Sequence, residues 1–159
     1  MQTMISSCCF TGHRNISSFE RTRIQEQLES EIVQLIHQGV YGFFCGGALG
    51  FDTLAALAVL KIREIYTHIK LIMVLPCRDQ AERWSDRNRG IYDRILNEAD
   101  EVIYTAEHYY NGCMLRRNRR LVDSSDVCIC YLAKTSGGTA YTIAYAKERG
   151  LRVINLARG

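Results

Sequence analysis

Short apolar runs alternate along the chain with longer stretches in which apolar residues recur every three or four positions. The runs lie near Ile5–Phe10, Tyr41–Cys45, Ile69–Leu75, Glu101–Tyr104, Asp126–Leu132 and Arg152–Asn155. Several are continuous and rich in β-branched residues or cysteine, which suits strands covered on both faces. The intervening spacing predicts five helices. Over Phe19–His37, residues Ile24, Leu28, Ile32, Leu35 and Ile36 share one face, and Ser17 with Glu20 forms a capping box. Over Asp52–Tyr66, residues Leu54, Leu57, Ala58, Ile62 and Ile65 make a second stripe. Gln80–Asn97 is charged outside, with Trp84, Ile91, Ile95 and Leu96 within. Met114–Asp123 and Thr139–Arg149 complete the set, the last stopped by Gly150. Strands alternating with helices need parallel, right-handed crossovers. The pattern therefore predicts an α/β fold: a Rossmann-like, doubly wound, mostly parallel sheet with helices on both faces. No linker is visible, so a single domain over 1–159 is expected.

Composition narrows the function classes. Twenty basic against seventeen acidic residues give +3, too mild a surplus to imply a nucleic-acid partner from charge alone. No apolar run is long enough to span a bilayer, and the first residues lack a basic leader, so a cytoplasmic protein without a membrane partner is expected. The seven cysteines include no CxxC, and the close pairs sit inside apolar runs. They read as small core residues, and the chain calls for no metal and no cofactor.

In a doubly wound sheet, ligands bind beyond the carboxyl ends of the strands, so the loops there carry the candidate chemistry. After the first run come Thr11, Gly12, His13 and Arg14: a hydroxyl, a residue that permits close approach, and two donors suited to a phosphate. A surface arginine beside a helix-proximal histidine is the structural alternative. After the second come Gly46, Gly47 and Gly50 ahead of a helix, with Asp52 able to cap that helix or to hold a ribose hydroxyl. After the third, Gln80 and Trp84 are four apart. Trp84 could stack on a base or sit in the core, the latter being the commoner fate of a lone helical tryptophan. Arg116, Arg117, Arg119 and Arg120 surround Asn118. On a helix 116, 119 and 120 share a face, whereas 117 looks elsewhere. They could meet a nucleic-acid backbone or form a solvated basic face. Asparagine is a poor mid-helix residue, so Asn118 is expected to be held by a partner. After the fifth run, Ser136, Gly137, Gly138 and Thr139 lead into the last helix with hydroxyls and free amides. Three glycine-rich strand ends together favour a phosphate-bearing ligand over three independent turns.

The ordered segments CFTGHR, GGALGFD, YYNGCMLRRNRRLVDSSD and SGGTAYTIAYAKERG resemble the YpsA-like family of the SLOG superfamily. That superfamily shares a Rossmann-like fold with the LOG phosphoribohydrolases and with DprA, a DNA-processing protein. The resemblance covers essentially the whole chain. It implies a nucleotide-derived ligand at Thr11, Gly12, His13, Arg14, Gly46, Gly47, Asp52, Asn118, Ser136, Gly137, Gly138 and Thr139. Apart from the resemblance, Trp84 and Tyr109 are the side chains expected to cover a base. The resemblance also brings a homodimer into consideration, because LOG-type relatives are often dimers. Against the LOG pattern PGGxGTxxE, this chain has Ser136 at the proline, Ala140 at a glycine, and Ile143 and Ala144 at the acidic positions. The next carboxylate is Glu148. Hydrolysis of an N-glycoside needs a carboxylate near the sugar, so a binding or sensing role without strong catalysis is expected. The alternatives are a nucleoside monophosphate hydrolase using Asp52 and His13, and a DprA-like nucleic-acid-binding module.

Overall fold

The structure is a computed structural model, and it describes residues 4–158. Met1 to Thr3 and Gly159, part of the single-domain expectation, lie outside the described residues. Six strands form one sheet, all parallel: β1 (Ser7–Gly12), β2 (Gly42–Cys45), β3 (Lys70–Leu75), β4 (Glu101–Tyr104), β5 (Val127–Tyr131) and β6 (Arg152–Asn155). Their spatial order is β4-β3-β2-β1-β5-β6. The helices are α1 (Ser18–His37), α2 (Phe51–Arg63), α3 (Asp86–Glu98), α4 (Cys113–Asp123) and α5 (Gly138–Glu148). This is the expected Rossmann-like α/β architecture.

The alternation of side chains along the strands builds two cores. Cys8, Phe10, Phe43, Leu71, Met73 and Leu75 pack against α1, α2 and α3 on one face. Cys9, Ile72, Val74, Cys128 and Cys130 pack against Leu121 and Val122 of α4 and Ile143 and Ala146 of α5 on the other. The cysteines thus behave as small core residues, all seven free and buried. In α1 the predicted stripe is sealed: Ile24, Leu28, Ile32 and Leu35 lose essentially all contact with solvent. Each such side chain contributes about 1.5–3 kcal/mol of transfer free energy. Ser17 caps α1 by accepting from Glu20 N at 3.3 Å.

Two helices differ from the periodicity. In α2 the buried face is Phe51, Ala55, Val59 and Ile62, while Leu54 and Leu57 are partly buried and Ile65 is exposed beyond the helix end. Alanines let α2 approach the sheet closely, so the large residues were a misleading guide to its inner face. The helix predicted from Gln80 begins six residues later. Asp79–Trp84 form turns, and Ser85 caps α3 by accepting from Asn88 N at 3.2 Å.

The strands are aligned from below by carboxylates. Asp126, just before β5, accepts from Ser6 N (2.8 Å) and Ser7 N (3.2 Å) at the start of β1. Asp100, just before β4, accepts from Leu71 N of β3 (2.8 Å) and from Arg63 (2.7 Å). Each acid satisfies a strand-end amide that would otherwise lack a partner.

Candidate functional site

The chain runs outward from β1 through β2 and β3 to β4, then returns to place β5 on the other side of β1. The reversal lies between β1 and β5, and the loops leaving these two strands must part there. A cleft of about 440 Å³ opens at this point. It is lined by Thr11, Gly12, His13 and Arg14 after β1, Ala48 and Asp52 around the start of α2, Met114, Arg117 and Asn118 of α4, and Lys134, Ser136, Gly137, Gly138 and Thr139 between β5 and α5. Four of the five sequence segments singled out as candidates therefore meet in one place. Gly46 lies behind the cleft wall. Trp84 and Gly47 line a separate small cavity with Tyr92 and Ile95, and Asp52 is the residue common to both spaces. Trp84 stands edge-on to Tyr92 with ring centroids 5.2 Å apart, the packing of a core-flanking side chain.

The glycines divide by what surrounds them. A Cβ on Gly12 would fall 2.4 Å from the Phe51 ring, and one on Gly46 would fall 2.7 Å from the Arg117 guanidinium. One on Gly47 would meet Leu75 at 2.6 Å, and one on Gly50 would meet the Arg14 carbonyl at 2.1 Å. These four let the chain pack on itself. Gly137 and Gly138 have nothing within 4 Å of a built Cβ. Gly137 requires glycine for its φ of +101°, but the space beside Gly138 is open.

The amides divide the same way. At α2, Phe51 N donates to the His13 carbonyl at 3.1 Å, and Ala48 N donates to Asp52 Oδ2 at 3.1 Å. That turn carries its own carboxylate. α5 begins without a side-chain cap, and the amides of Gly138, Thr139 and Ala140 have no acceptor among the described residues. A helix N-terminus in that state presents aligned donors and a partial positive charge.

This first turn of α5 is fixed from behind. Arg117 Nε donates to Asn118 Oδ1 at 2.8 Å, Asn118 Nδ2 donates to Thr142 Oγ1 at 2.9 Å, and Thr142 Oγ1 donates to the Gly138 carbonyl at 2.8 Å. The partner expected for Asn118 is thus Thr142, a residue absent from the sequence reading. Arg117 is only 4% exposed and also donates through Nη1 to the Gly46 carbonyl. It faces away from its three neighbours, as the helical phase requires.

Burial sets the electrostatics of the floor. Asp52 is 5% exposed, and desolvation pushes its carboxyl up to about 6 despite the opposing charges of Arg117 and Arg14. Burial also lowers the Arg117 guanidinium, with Asp52 opposing that shift. The His13 imidazole is lowered by burial and by the charge of Lys134, and its Nε2 accepts from Ala133 N at 2.9 Å. His13 is a neutral clamp between the two loops at the switch point, with its Nε2 lone pair engaged.

On the far side of α4, Arg116, Arg119 and Arg120 line a second, wider groove of about 700 Å³ with Tyr104, Thr105, Gly112, Leu115 and Asp123. Arg116 donates to Tyr110 Oη at 3.1 Å. Arg119 donates to Tyr141 Oη and lies over the Tyr141 and Tyr145 rings, 5.5 and 5.8 Å from their centroids. Tyr109 is exposed and does not line the cleft. Lys134 and Met114 do line it and were missed, since neither a lone loop lysine nor a helical methionine marks itself in sequence.

Comparison with known proteins identifies the family and agrees with the fold. A UPF0398 protein of Halalkalibacterium halodurans is 34% identical over 141 residues, covering 87% of this chain and 72% of the relative. DNA processing protein A from Streptococcus pneumoniae matches in structure with a TM-score of 0.71 at 21% identity, covering 95% of this chain and 50% of that one. DNA processing protein A from Helicobacter pylori, described for its single-stranded DNA binding mode, matches with a TM-score of 0.69 at 21% identity, covering 96% of this chain and 65% of that one. The chain thus spans half to two thirds of those two proteins, and the likeness is one of fold. The YpsA family model, described as the YspA SLOG family, matches residues 8–153. The chain belongs to that family.

Proposed function

We propose that this protein binds a nucleotide or a nucleotide-derived phosphate ester in the switch-point cleft, without strong catalysis. The observation that carries the reading is the open first turn of α5 beside Gly138, held in place by Asn118 and Thr142 and lining one cleft with Arg14 and Lys134. Uncapped amides, an adjacent unfilled volume and two cations are what a phosphate requires. Asp52 is the single carboxylate among the lining residues and would accept from a sugar hydroxyl.

The same count argues against hydrolysis. Ile143 is buried in the core, Ala144 offers no acid, and Glu148 lies near the far end of α5. With His13 Nε2 engaged, the cleft lacks a pair of groups to share acid and base roles. Isothermal titration with nucleotides should give saturable heat, and chromatography of the same mixtures should show no released base. Arg14→Ala should weaken binding by about 1.5–3 kcal/mol, a charge-assisted hydrogen bond. Unchanged affinity would remove Arg14 from the site, and base release abolished by Asp52→Asn would replace this reading with a hydrolase.

The groove lined by Arg116, Arg119 and Arg120, flanked by exposed tyrosines, supports a second reading in which the chain contacts single-stranded nucleic acid. Arginine with aromatic side chains suits phosphate and base stacking. A gel shift at low salt tests it: binding should fall steeply with salt and with Arg120→Ala, and no retardation at low salt ends it.

A further inference from the structure

The cleft has a floor and a rim of different chemistry. Thr11, Asp52, Arg117 and Thr139 are each at least nine-tenths buried, and they form the floor with Ala48. Arg14, Lys134, Ser136, Gly137 and Gly138 are exposed and form the rim. The rim carries two cations and the open amides. The floor carries one cation and one carboxylate, so it presents little net charge.

The floor also presents oxygens that have no partner within the described residues and open onto the cleft. Thr11 Oγ1, Thr139 Oγ1 and Asp52 Oδ1 make no hydrogen bond among the described residues, and although their residues are mostly buried these atoms are not enclosed by the protein. A ligand that covers them without bonding to them would leave each unpaired at a cost of about 1–3 kcal/mol, so the floor favours a polar occupant. An anion would meet Asp52, and an apolar group would leave all three oxygens unmet. Hydroxyl groups can both donate to a carboxylate and exchange hydrogen bonds with threonines. Several hydroxyls on one small ring answer the arrangement.

The walls decide what is not read. Among the lining residues the only aromatic ring is His13, which stands edge-on to Tyr131 at 5.8 Å and is tied to Ala133. Trp84 lies in the neighbouring cavity, and Tyr109 lies outside. Among the described residues, no aromatic platform for a base lines the cleft.

Resting on the phosphate-binding reading above, we propose that this cleft recognises its ligand as a sugar phosphate. The hydroxyls of the sugar lie on Thr11, Asp52 and Thr139, the phosphate lies at the rim on the α5 amides with Arg14 and Lys134, and any base projects outward unread. The cleft then serves phosphoribosyl compounds as a class, whatever base they carry.

The test is titration of the whole protein with methyl β-ribofuranoside 5-phosphate, AMP, UMP and adenosine. The three phosphate esters should bind within fivefold of one another, and adenosine should bind at least tenfold more weakly. Thr139→Val, which keeps the shape and removes the hydroxyl, should weaken the base-free ester several-fold, with an unchanged circular dichroism spectrum confirming the fold. AMP or UMP binding more than fivefold tighter than the base-free ester overturns the sugar-phosphate assignment while leaving the nucleotide reading intact. Absence of binding by all three esters overturns the nucleotide reading itself.

Discussion

Replacing Asp52 by asparagine should stabilise the ligand-free protein at neutral pH. Asp52 sits at the cleft floor, with Oδ2 on Ala48 N and with burial pushing its carboxyl from 3.8 to about 6. A carboxylic acid whose pKa is raised in the folded state holds its proton more tightly there than when unfolded. Its contribution to stability is therefore complete below about 4 and is lost as pH rises through about 6. A shift of roughly two units corresponds to about 3 kcal/mol, at about 1.4 kcal/mol per unit. Asparagine retains an oxygen to accept from Ala48 N and carries no charge to desolvate. In urea unfolding between pH 4 and 8, the two proteins should be similar at pH 4 and diverge through pH 6, and the variant should be more stable by up to about 3 kcal/mol at pH 7. The opposite divergence, with the wild type gaining as pH rises, would mean that Arg117 outweighs desolvation and would refute the reasoning. The same variant should bind phosphate esters more weakly, so a gain in stability would accompany a loss of affinity.

Gly50→Ala should cost at least about 2 kcal/mol in chemical denaturation, because φ is +77° there and a Cβ would fall 2.1 Å from the Arg14 carbonyl. Gly138→Ala should leave the denaturation midpoint nearly unchanged but lower ester affinity in titration, since its Cβ would enter open space at the first turn of α5. Thr142→Val should cost about 1–2 kcal/mol of stability through two lost hydrogen bonds, and Thr142→Ser should restore most of it. Ser85→Ala should lower thermal stability by an amount equivalent to about 1 kcal/mol through loss of the α3 cap, with no change in titration.

The alternation of apolar runs and helical stripes was sufficient to place six strands and five helices, because a doubly covered parallel sheet writes both periods clearly. Local chemistry was legible where it depended on neighbours in sequence. The Ser17 cap, the opposite outlook of Arg117 and the need of Asn118 for a partner all follow from helical phase and propensity. What depended on distant residues was hidden. The glycines at 12, 46, 47 and 50 looked like ligand approaches, but Phe51, Arg117, Leu75 and the Arg14 carbonyl occupy the space beside them. The start of α3 is hidden in the sequence because the turn through Asp79–Trp84 has the charged, helix-like spacing of the helix that follows. Trp84 lies in that turn, ahead of α3, and so has no helical face. Lys134 and Thr142 gave no local signal, since their significance lies in what β5, α4 and α5 bring together.

Because four of the glycines around the cleft are committed to the fold, one side of the opening has little freedom to vary. The stretch from Lys134 to Gly138 has open space around its two glycines, and it is anchored at one end by Ala133 on His13 and at the other by Thr142 on the Gly138 carbonyl. Libraries aimed at new ligand preferences should be concentrated on positions 134–136. There, side chains can be exchanged without disturbing either core, and the two anchors keep the backbone trained on whatever enters.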